Sequence, residues 1–278
     1  MTTLELTLIL GVASAVAGFL GSLTGLGGGV VIVPLLTLGF GVDFRYAVGA
    51  SLVSVIATSS AAGAAYVKDG YSNIRVGMLL EVGTTLGAVA GAVLATVLPV
   101  SVTAVVFGVV LLVSAYLSSR KMGDEEPETP PDRLAIRLRM DSSYPTPQGV
   151  RPYHVTRVPL GCVVMFVAGS VSGLLGIGSG ALKVLAMDQI MRLPFKVSTT
   201  TSNFMIGVTA AASAGFYLSR GYIDPALSMP VMLGVFAGAT LGSRALAGAR
   251  PEILRTLFIV VLFALGAQMI YHGLRGAF

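Results

Sequence analysis

The sequence predicts an all-α polytopic membrane protein made of two homologous five-segment helical repeats, and three observations lead there. Of 278 residues, 54% are hydrophobic and 11% are charged, whereas a soluble domain carries about a quarter charged residues. Uncharged apolar runs follow one another along the chain, most of them near the ~20 residues that a bilayer requires. The chain also resembles itself at an offset of 151 residues, the distance from Gly25 to Gly176.

That offset aligns Gly25-Leu-Gly-Gly-Gly29 with Gly176-Ile-Gly-Ser-Gly180, Phe44-Arg45 with Phe195-Lys196, and Ser51 with Ser202. Further on, Tyr66 meets Tyr217, Gly70-Tyr71 meets Gly221-Tyr222, and Gly83, Gly87 and Gly91 meet Gly234, Gly238 and Gly242. Glycine spacing held without a gap is the mark of a duplicated unit. The chain accordingly divides into a first membrane repeat (1–119), a cytoplasmic linker (120–157) and a second membrane repeat (158–278). The apolar segments fall at 4–23, 28–42, 46–67, 74–97 and 100–119, then at 158–175, 180–194, 197–218, 225–248 and 252–274. The first of them contains Ala13-Ser14-Ala15, which has the look of a signal-peptidase site. No Lys or Arg precedes it, Glu5 has the wrong sign, and the second repeat opens on the same kind of helix, so it is read as a membrane helix.

The second segment of each repeat is short, starts on a glycine cluster, and contains Pro34 or ends at Pro194. It is read as a broken or re-entrant helix. Its path decides the symmetry. If it crosses, each repeat has an odd number of spans and the two are inverted; if it turns back, they are parallel. With the linker cytoplasmic, the inverted arrangement gathers Lys68, Arg75, Arg192, Lys196, Arg244, Arg250 and Arg255 inside, and leaves Arg45, Arg220 and Arg275 outside. The positive-inside rule favours that arrangement.

The linker begins with Gly123-Asp-Glu-Glu-Pro-Glu-Thr-Pro-Pro131, an acidic and proline-rich tether. Leu134, Ile136, Leu138 and Met140 then alternate with more polar residues, as do Tyr153–Val158. Alternation suggests a small hairpin, with a flexible connection as the other reading.

The net charge of +5 is a topology signal and a mild attraction for anions, and nucleic acid is not an expected partner. The single cysteine, Cys162, sits in an apolar run and can form neither an internal disulfide nor a multi-cysteine metal site. His154 and His272 lie in the linker and near the C-terminus, and no hydrolase or metalloprotease motif occurs. No enzyme activity, catalytic residue, metal or cofactor is expected.

What remains is a binding reading. The glycine clusters precede short helices, where unwound backbone inside a membrane protein can present N–H groups and a positive dipole end to an anion. Close helix packing is the competing explanation. Gly83, Gly87, Gly91 and their equivalents, spaced along one helix face, are assigned to packing. Hydroxyl and amide donors follow each short segment: Ser51, Ser54, Thr58 and Ser59, then Thr199, Thr200, Thr201, Ser202 and Asn203. Such donors can replace part of an oxyanion's hydration shell, although many bond to their own helix. Glu81, Lys183 and Asp188 are charges inside apolar runs, which are costly and normally face a partner or a water-filled path. Lys183 stands beside a glycine cluster, and its equivalent in the first repeat is the apolar Ile32. The candidate substrate-binding set is Gly27, Gly28, Gly29, Ser51, Gly178, Ser179, Gly180, Lys183, Ser202 and Asn203. The expected partners are a small anion, the lipid bilayer, and a proton or other coupling ion; no oligomeric state is assigned.

Gly25–Leu36, Gly49-Ala-Ser51, Gly176–Gly180 and Thr200-Thr-Ser202 resemble the sulfite exporter TauE/SafE family of membrane transporters. The resemblance covers both repeats and excludes the linker. It implies a bacterial or archaeal plasma-membrane permease exporting sulfite, sulfoacetate or a related sulfur anion, with the paired glycine motifs as its site. The sequence departs from the family pattern where Ser179 replaces a glycine, where Leu185 stands opposite Pro34, and where Ala50 occupies a position at which Thr is expected. A passive anion channel and a membrane scaffold working through the linker are the rival readings.

Overall fold

The computed structural model describes residues 3–24, 28–68, 72–119, 132–146, 149–246 and 251–276, with eleven helices among them. The first five are α1 (Thr3–Thr24), α2 (Gly29–Pro34), α3 (Phe44–Lys68), α4 (Ile74–Val97) and α5 (Val100–Ser119). A short α6 (Arg133–Arg137) and the strands β1 (Ser142–Thr146) and β2 (Gly149–Tyr153) follow. The chain ends with α7 (Val158–Leu175), α8 (Gly180–Leu185), α9 (Phe195–Ser219), α10 (Pro225–Leu246) and α11 (Pro251–Arg275). Elements α2, α3 and α8, α9 begin at equivalent positions 151 residues apart, as 180 minus 29 and 195 minus 44 show.

Both short helices widen into a π-helical turn, Leu35–Gly39 after α2 and Ala186–Ile190 after α8. Pro34 lacks an N–H and would explain the first widening alone. Leu185 occupies the same place in the second turn, so proline is not the cause of the shared geometry.

Several helices turn a face of large apolar residues outward. Leu8, Val12 and Val16 on α1, Met78, Val82 and Leu86 on α4, and Val163 and Val167 on α7 are exposed along single helix faces, a surface suited to hydrocarbon. Among the described residues, Ile74–Val97, Val158–Leu175 and Pro225–Gly242 are long and apolar enough to cross a membrane.

Helix α1 packs on α10, α4 on α7, α5 on α11 and α3 on α9. Glycine permits these approaches. A Cβ on Gly87 would lie 2.0 Å from the Phe166 carbonyl oxygen, and one on Gly91 2.0 Å from that of Ser170. The equivalent positions behave alike: Gly234 would meet the Gly11 oxygen at 2.2 Å, and Gly238 that of Ala15 at 1.9 Å. These contacts advance together, so α4 runs with α7 and α1 with α10. By contrast, Gly108 meets Ile270 while Gly273 meets Val105 and Ser101, so α5 and α11 run in opposite directions. Helices α3 and α9 are also opposed: Gly49 near the start of α3 meets Tyr222 beyond the end of α9, and Ser59 bonds Asn203 in the first half of α9.

Helices α7 and α9 share one direction. Tyr217 Oη donates to the carbonyls of Gly173 and Leu174 at the end of α7 (3.3 and 3.4 Å), while Met191, just before α9, packs on Gly161 near the start of α7. The chain therefore returns across the bundle between them, through α8 and its π turn.

The acidic tether at 123–131 lies outside the described residues. From Asp132 onward the linker is folded, and its elements differ from those expected of the alternating pattern. Asp132 Oδ1 accepts from Leu134 N (3.3 Å) and starts a helical turn at Arg133, which a left-handed Arg139 (φ 51°) follows. The hairpin forms one step later, with Ser142 opposite Tyr153 and Thr146 opposite Gly149. Ala135, Met140, Tyr153, Val155 and Val158 are buried against Val76, Leu80, Met165, Met187, Met191 and Leu193, so the linker caps one end of the bundle.

Candidate functional site

Three of the four residues from Gly176 to Ser179 have left-handed backbones: Gly176 (φ 68°), Gly178 (φ 72°) and Ser179 (φ 46°). This run ends α7 and admits α8. Glycine takes this conformation without penalty, whereas an L-residue such as Ser179 pays roughly 1–2 kcal/mol. The departure from glycine noted at Ser179 thus falls on a position whose geometry favours glycine. Before α2, Gly27 lies outside the described residues, and Gly28 is right-handed (φ −60°) at the N-cap of α2.

The two short-helix starts meet on α3. A Cβ on Gly29 would lie 2.6 Å from Val55 Cγ2, 2.8 Å from Ser51 Oγ and 3.2 Å from the Gly176 oxygen. The Ser51 hydroxyl donates to the Gly176 carbonyl at 2.8 Å and lies 3.2 Å from that of Gly29. Its equivalent, Ser202, donates to the Gly180 carbonyl at 3.3 Å. Gly178 packs on Val55 and Ile206. The structure thus brings Gly29, Ser51, Gly178, Ser202 and Gly180 together between α3 and α9. In this conformation both serine hydroxyls are occupied by backbone carbonyls. Gly28 stands against Gly18 and Val235 on the α1–α10 side. Asn203 is half-buried, and its carbonyl accepts from Ser59. Ser179 is buried, and its Oγ has no hydrogen-bond partner.

Lys183 is fully buried, and its Nζ donates to Thr209 Oγ1 on α9. Thr209 Oγ1 lies 2.6 Å from Glu81 Oε1 on α4, while Lys183 Nζ and Glu81 Oε2 stand 3.9 Å apart. Thr85 Oγ1 donates to Glu81 Oε1 at 3.2 Å. The partner of Lys183 is thus Glu81, rather than a residue of its own helix. Thr209 carries no signal in the sequence beyond its pairing with Thr58. The Glu81–Lys183 connection does have one: at offset 151 both align with apolar residues, Met232 and Ile32.

The linker closes over this end of the bundle. Asn73 Nδ2 donates to the Met140 carbonyl and to Tyr153 Oη, each at 2.8 Å, and Asn73 N donates to Thr201 Oγ1 at 3.0 Å. Burial raises the pKa of the Tyr153 phenol, so this contact stays neutral below the ordinary tyrosine pKa of about 10. Arg75 Nη1 donates to the Arg139 carbonyl at 2.7 Å, and Arg192 and Lys196 are exposed at the same end. At the opposite end, Arg45 donates to Tyr222 Oη at 3.1 Å and Arg220 lies over Phe216.

Sequence comparison finds relatives along nearly the whole chain. "Probable membrane transporter protein YunE" of Bacillus subtilis is 28% identical over 274 residues, covering 96% of this chain and 98% of the relative. "Probable membrane transporter protein ORF9" of a Sinorhizobium species is 25% identical, covering 93% and 90%. "Probable membrane transporter protein YdhB" of Bacillus subtilis is 24% identical, covering 85% and 87%. No solved structure matches the chain. Residues 10–269 match the family described as sulfite exporter TauE/SafE, and with apolar helices facing outward around a buried polar centre, this chain belongs to that family of membrane transporters.

Proposed function

We propose that this chain is a secondary transporter that exports a small sulfur-containing anion, such as sulfite, sulfoacetate or a related organosulfonate, across the bacterial or archaeal plasma membrane. One observation carries the reading: two broken helices converge inside the bundle beside a fully buried lysine. A soluble anion crossing hydrocarbon needs such a polar interior, with dipole ends and donors in place of water.

The three-part division into repeats at 1–119 and 158–278 around the linker 120–157 supports an inverted, multi-pass arrangement. Equivalent helices α5 and α11 oppose each other, as do α3 and α9, which is the relation expected of a two-fold axis in the membrane plane. The cross-pairs α1–α10 and α4–α7 exchange under the same operation. Basic residues sort accordingly, with Arg75, Arg192 and Lys196 on the linker side.

The binding set is Gly27, Gly28, Gly29, Ser51, Gly178, Ser179, Gly180, Lys183, Ser202 and Asn203. Within it, the unpartnered Ser179 hydroxyl and Lys183 are the donors best placed to take an anion. For Ser51 and Ser202 to do so, each must release a backbone carbonyl during the transport cycle.

Flux of radiolabelled sulfite and short organosulfonates into proteoliposomes tests the reading. Saturable uptake with trans-stimulation by the same anion is expected. Linear flux without trans-stimulation would mean a channel, and no flux of any sulfur anion would overturn the cargo.

A further inference from the structure

We propose that Glu81 is the coupling-proton site: an anion bound at Lys183 is taken together with one proton on Glu81 Oε2. The proposal rests on the reading of this chain as an anion transporter and adds the ion that travels with the anion.

The first observation is that the charge pair joins the two halves of the chain and has no charged equivalent. At offset 151, Lys183 aligns with Ile32, which is fully buried, and Glu81 aligns with Met232. Thr209 has an equivalent, Thr58, which bonds to its own helix through the carbonyls of Ser54 and Val55. The positions that carry the two charges thus have apolar equivalents. A buried ion pair is commonly replaceable by apolar residues without loss of stability. Lysine and glutamate together at this depth call for a role other than packing.

The second observation is an incomplete pair. Glu81 is 8% exposed, and its Oε2 is buried without a hydrogen-bond partner, 3.9 Å from Lys183 Nζ. The opposite oxygen is saturated by Thr209 and Thr85. A carboxylate held by one oxygen, with the other free and facing a cation, has a vacant place for a proton. The elements packed around the pair bring few other ionisable side chains: Cys162 from α7, Tyr116 from α5, Lys196 and Tyr217 from α9, Arg75 from α4, and Asp188 from the π turn. Among the described residues, Glu81 is the carboxylate paired with Lys183.

Charge balance supplies the mechanism. Before binding, the ammonium and the carboxylate sum to zero. An anion entering against Lys183 displaces Glu81 and leaves two negative charges around one cation, which a low-dielectric interior opposes. One proton from the aqueous phase then forms an O–H bond at Oε2, giving a neutral carboxylic acid beside an ammonium–anion pair. The site is neutral again, with anion and proton bound together. Release reverses both steps, so the anion flux carries protons one for one. Thr209 is a positioning residue. Its hydroxyl bridges Lys183 and Glu81 and can bond either form of the carboxyl.

Purified protein in detergent, titrated with methanesulfonate and 2-hydroxyethanesulfonate in buffers of different ionisation enthalpy, counts the protons taken up per anion. These probes do not titrate near neutrality. Wild type is expected to take up one proton per anion, with affinity falling about tenfold per pH unit on the alkaline side. Glu81→Gln should bind anion with no proton uptake and no such slope. The double variant E81M/K183I places the residues of the equivalent positions here, so it should fold normally and lose both anion binding and the proton uptake that accompanies it. Proton-free binding by wild type, or unchanged uptake by Glu81→Gln, would overturn the proposal. Should neither sulfonate bind while chloride or nitrate binds with a proton, the sulfur cargo fails and the coupling stands. If no anion binds with a proton, the coupling fails.

Discussion

Lys183 and Glu81, on α8 and α4, bring Nζ and Oε2 to 3.9 Å in the interior of a membrane protein, with the Thr209 hydroxyl between them. The trace of the pairing in the sequence is that both align with apolar residues, Met232 and Ile32, at offset 151. What holds them together is the packing of α4 and α8 against the same helix, α9.

Removing one member of this pair should be far worse than removing both. Lys183→Met leaves an uncompensated buried carboxylate, and loss of a single partner from a buried pair costs about 3–5 kcal/mol. The E81M/K183I double variant should unfold within about 1 kcal/mol of wild type, a coupling that thermal unfolding in detergent can measure as a double-mutant cycle. Additive losses would show that the pair does not interact.

Gly87 and Gly215 should respond in opposite ways. A Cβ on Gly87 falls 2.0 Å from the Phe166 carbonyl oxygen, so Gly87→Val must push α4 from α7, at about 1–3 kcal/mol or more. Membrane abundance should fall sharply. Gly215 has open space around it, and Gly215→Ala should be neutral or stabilising by up to about 1 kcal/mol. Abundance and melting temperature in detergent read both.

At Ser179 the side chain and the backbone can be tested apart. Ser179→Gly relieves a left-handed serine (φ 46°) and should raise stability modestly, whereas Ser179→Val adds a β-branched residue where L-residues are strained. Ser179→Ala keeps the backbone cost and removes only the unpartnered hydroxyl. If that hydroxyl meets the anion, Ser179→Ala loses affinity severalfold at unchanged abundance. Full affinity in Ser179→Ala would remove Ser179 from the site.

Topology is testable with single cysteines on a Cys162→Ala background, since Cys162 is the sole native cysteine. Cysteines at Asp43 and Arg220 should react with an impermeant reagent from outside, and one at Ser143 in the hairpin only after permeabilisation. Labelling of Ser143 and Arg220 from the same side would require parallel repeats.

Asn73→Ala removes both contacts to Met140 and Tyr153 that dock the linker onto α4, leaving buried polar groups unpaired at about 1–3 kcal/mol. Protease sensitivity within 132–157 should rise while the spans remain intact. An unchanged digestion pattern would show that the apolar contacts suffice to hold the cap.

By itself, the sequence determined the membrane class, because hydropathy and the scarcity of charge are summed over many residues and do not depend on which residues touch. It also marked Gly87, Gly91, Gly234 and Gly238 as packing positions, since residues spaced by four share a helix face whatever the partner helix. The glycine break before α8 was legible for the same reason: conformational freedom is a local property. Tertiary structure alone decided which helices pair and in which direction, and so how the chain returns between α7 and α9. It also decided that Ser51 and Ser202 are occupied by carbonyls, that the linker is a folded cap, and that Lys183 faces Glu81 rather than Asp188 on its own segment. Each of these depends on contacts between residues distant in the chain, and side-chain periodicity within one helix carries no information about the neighbour it will meet.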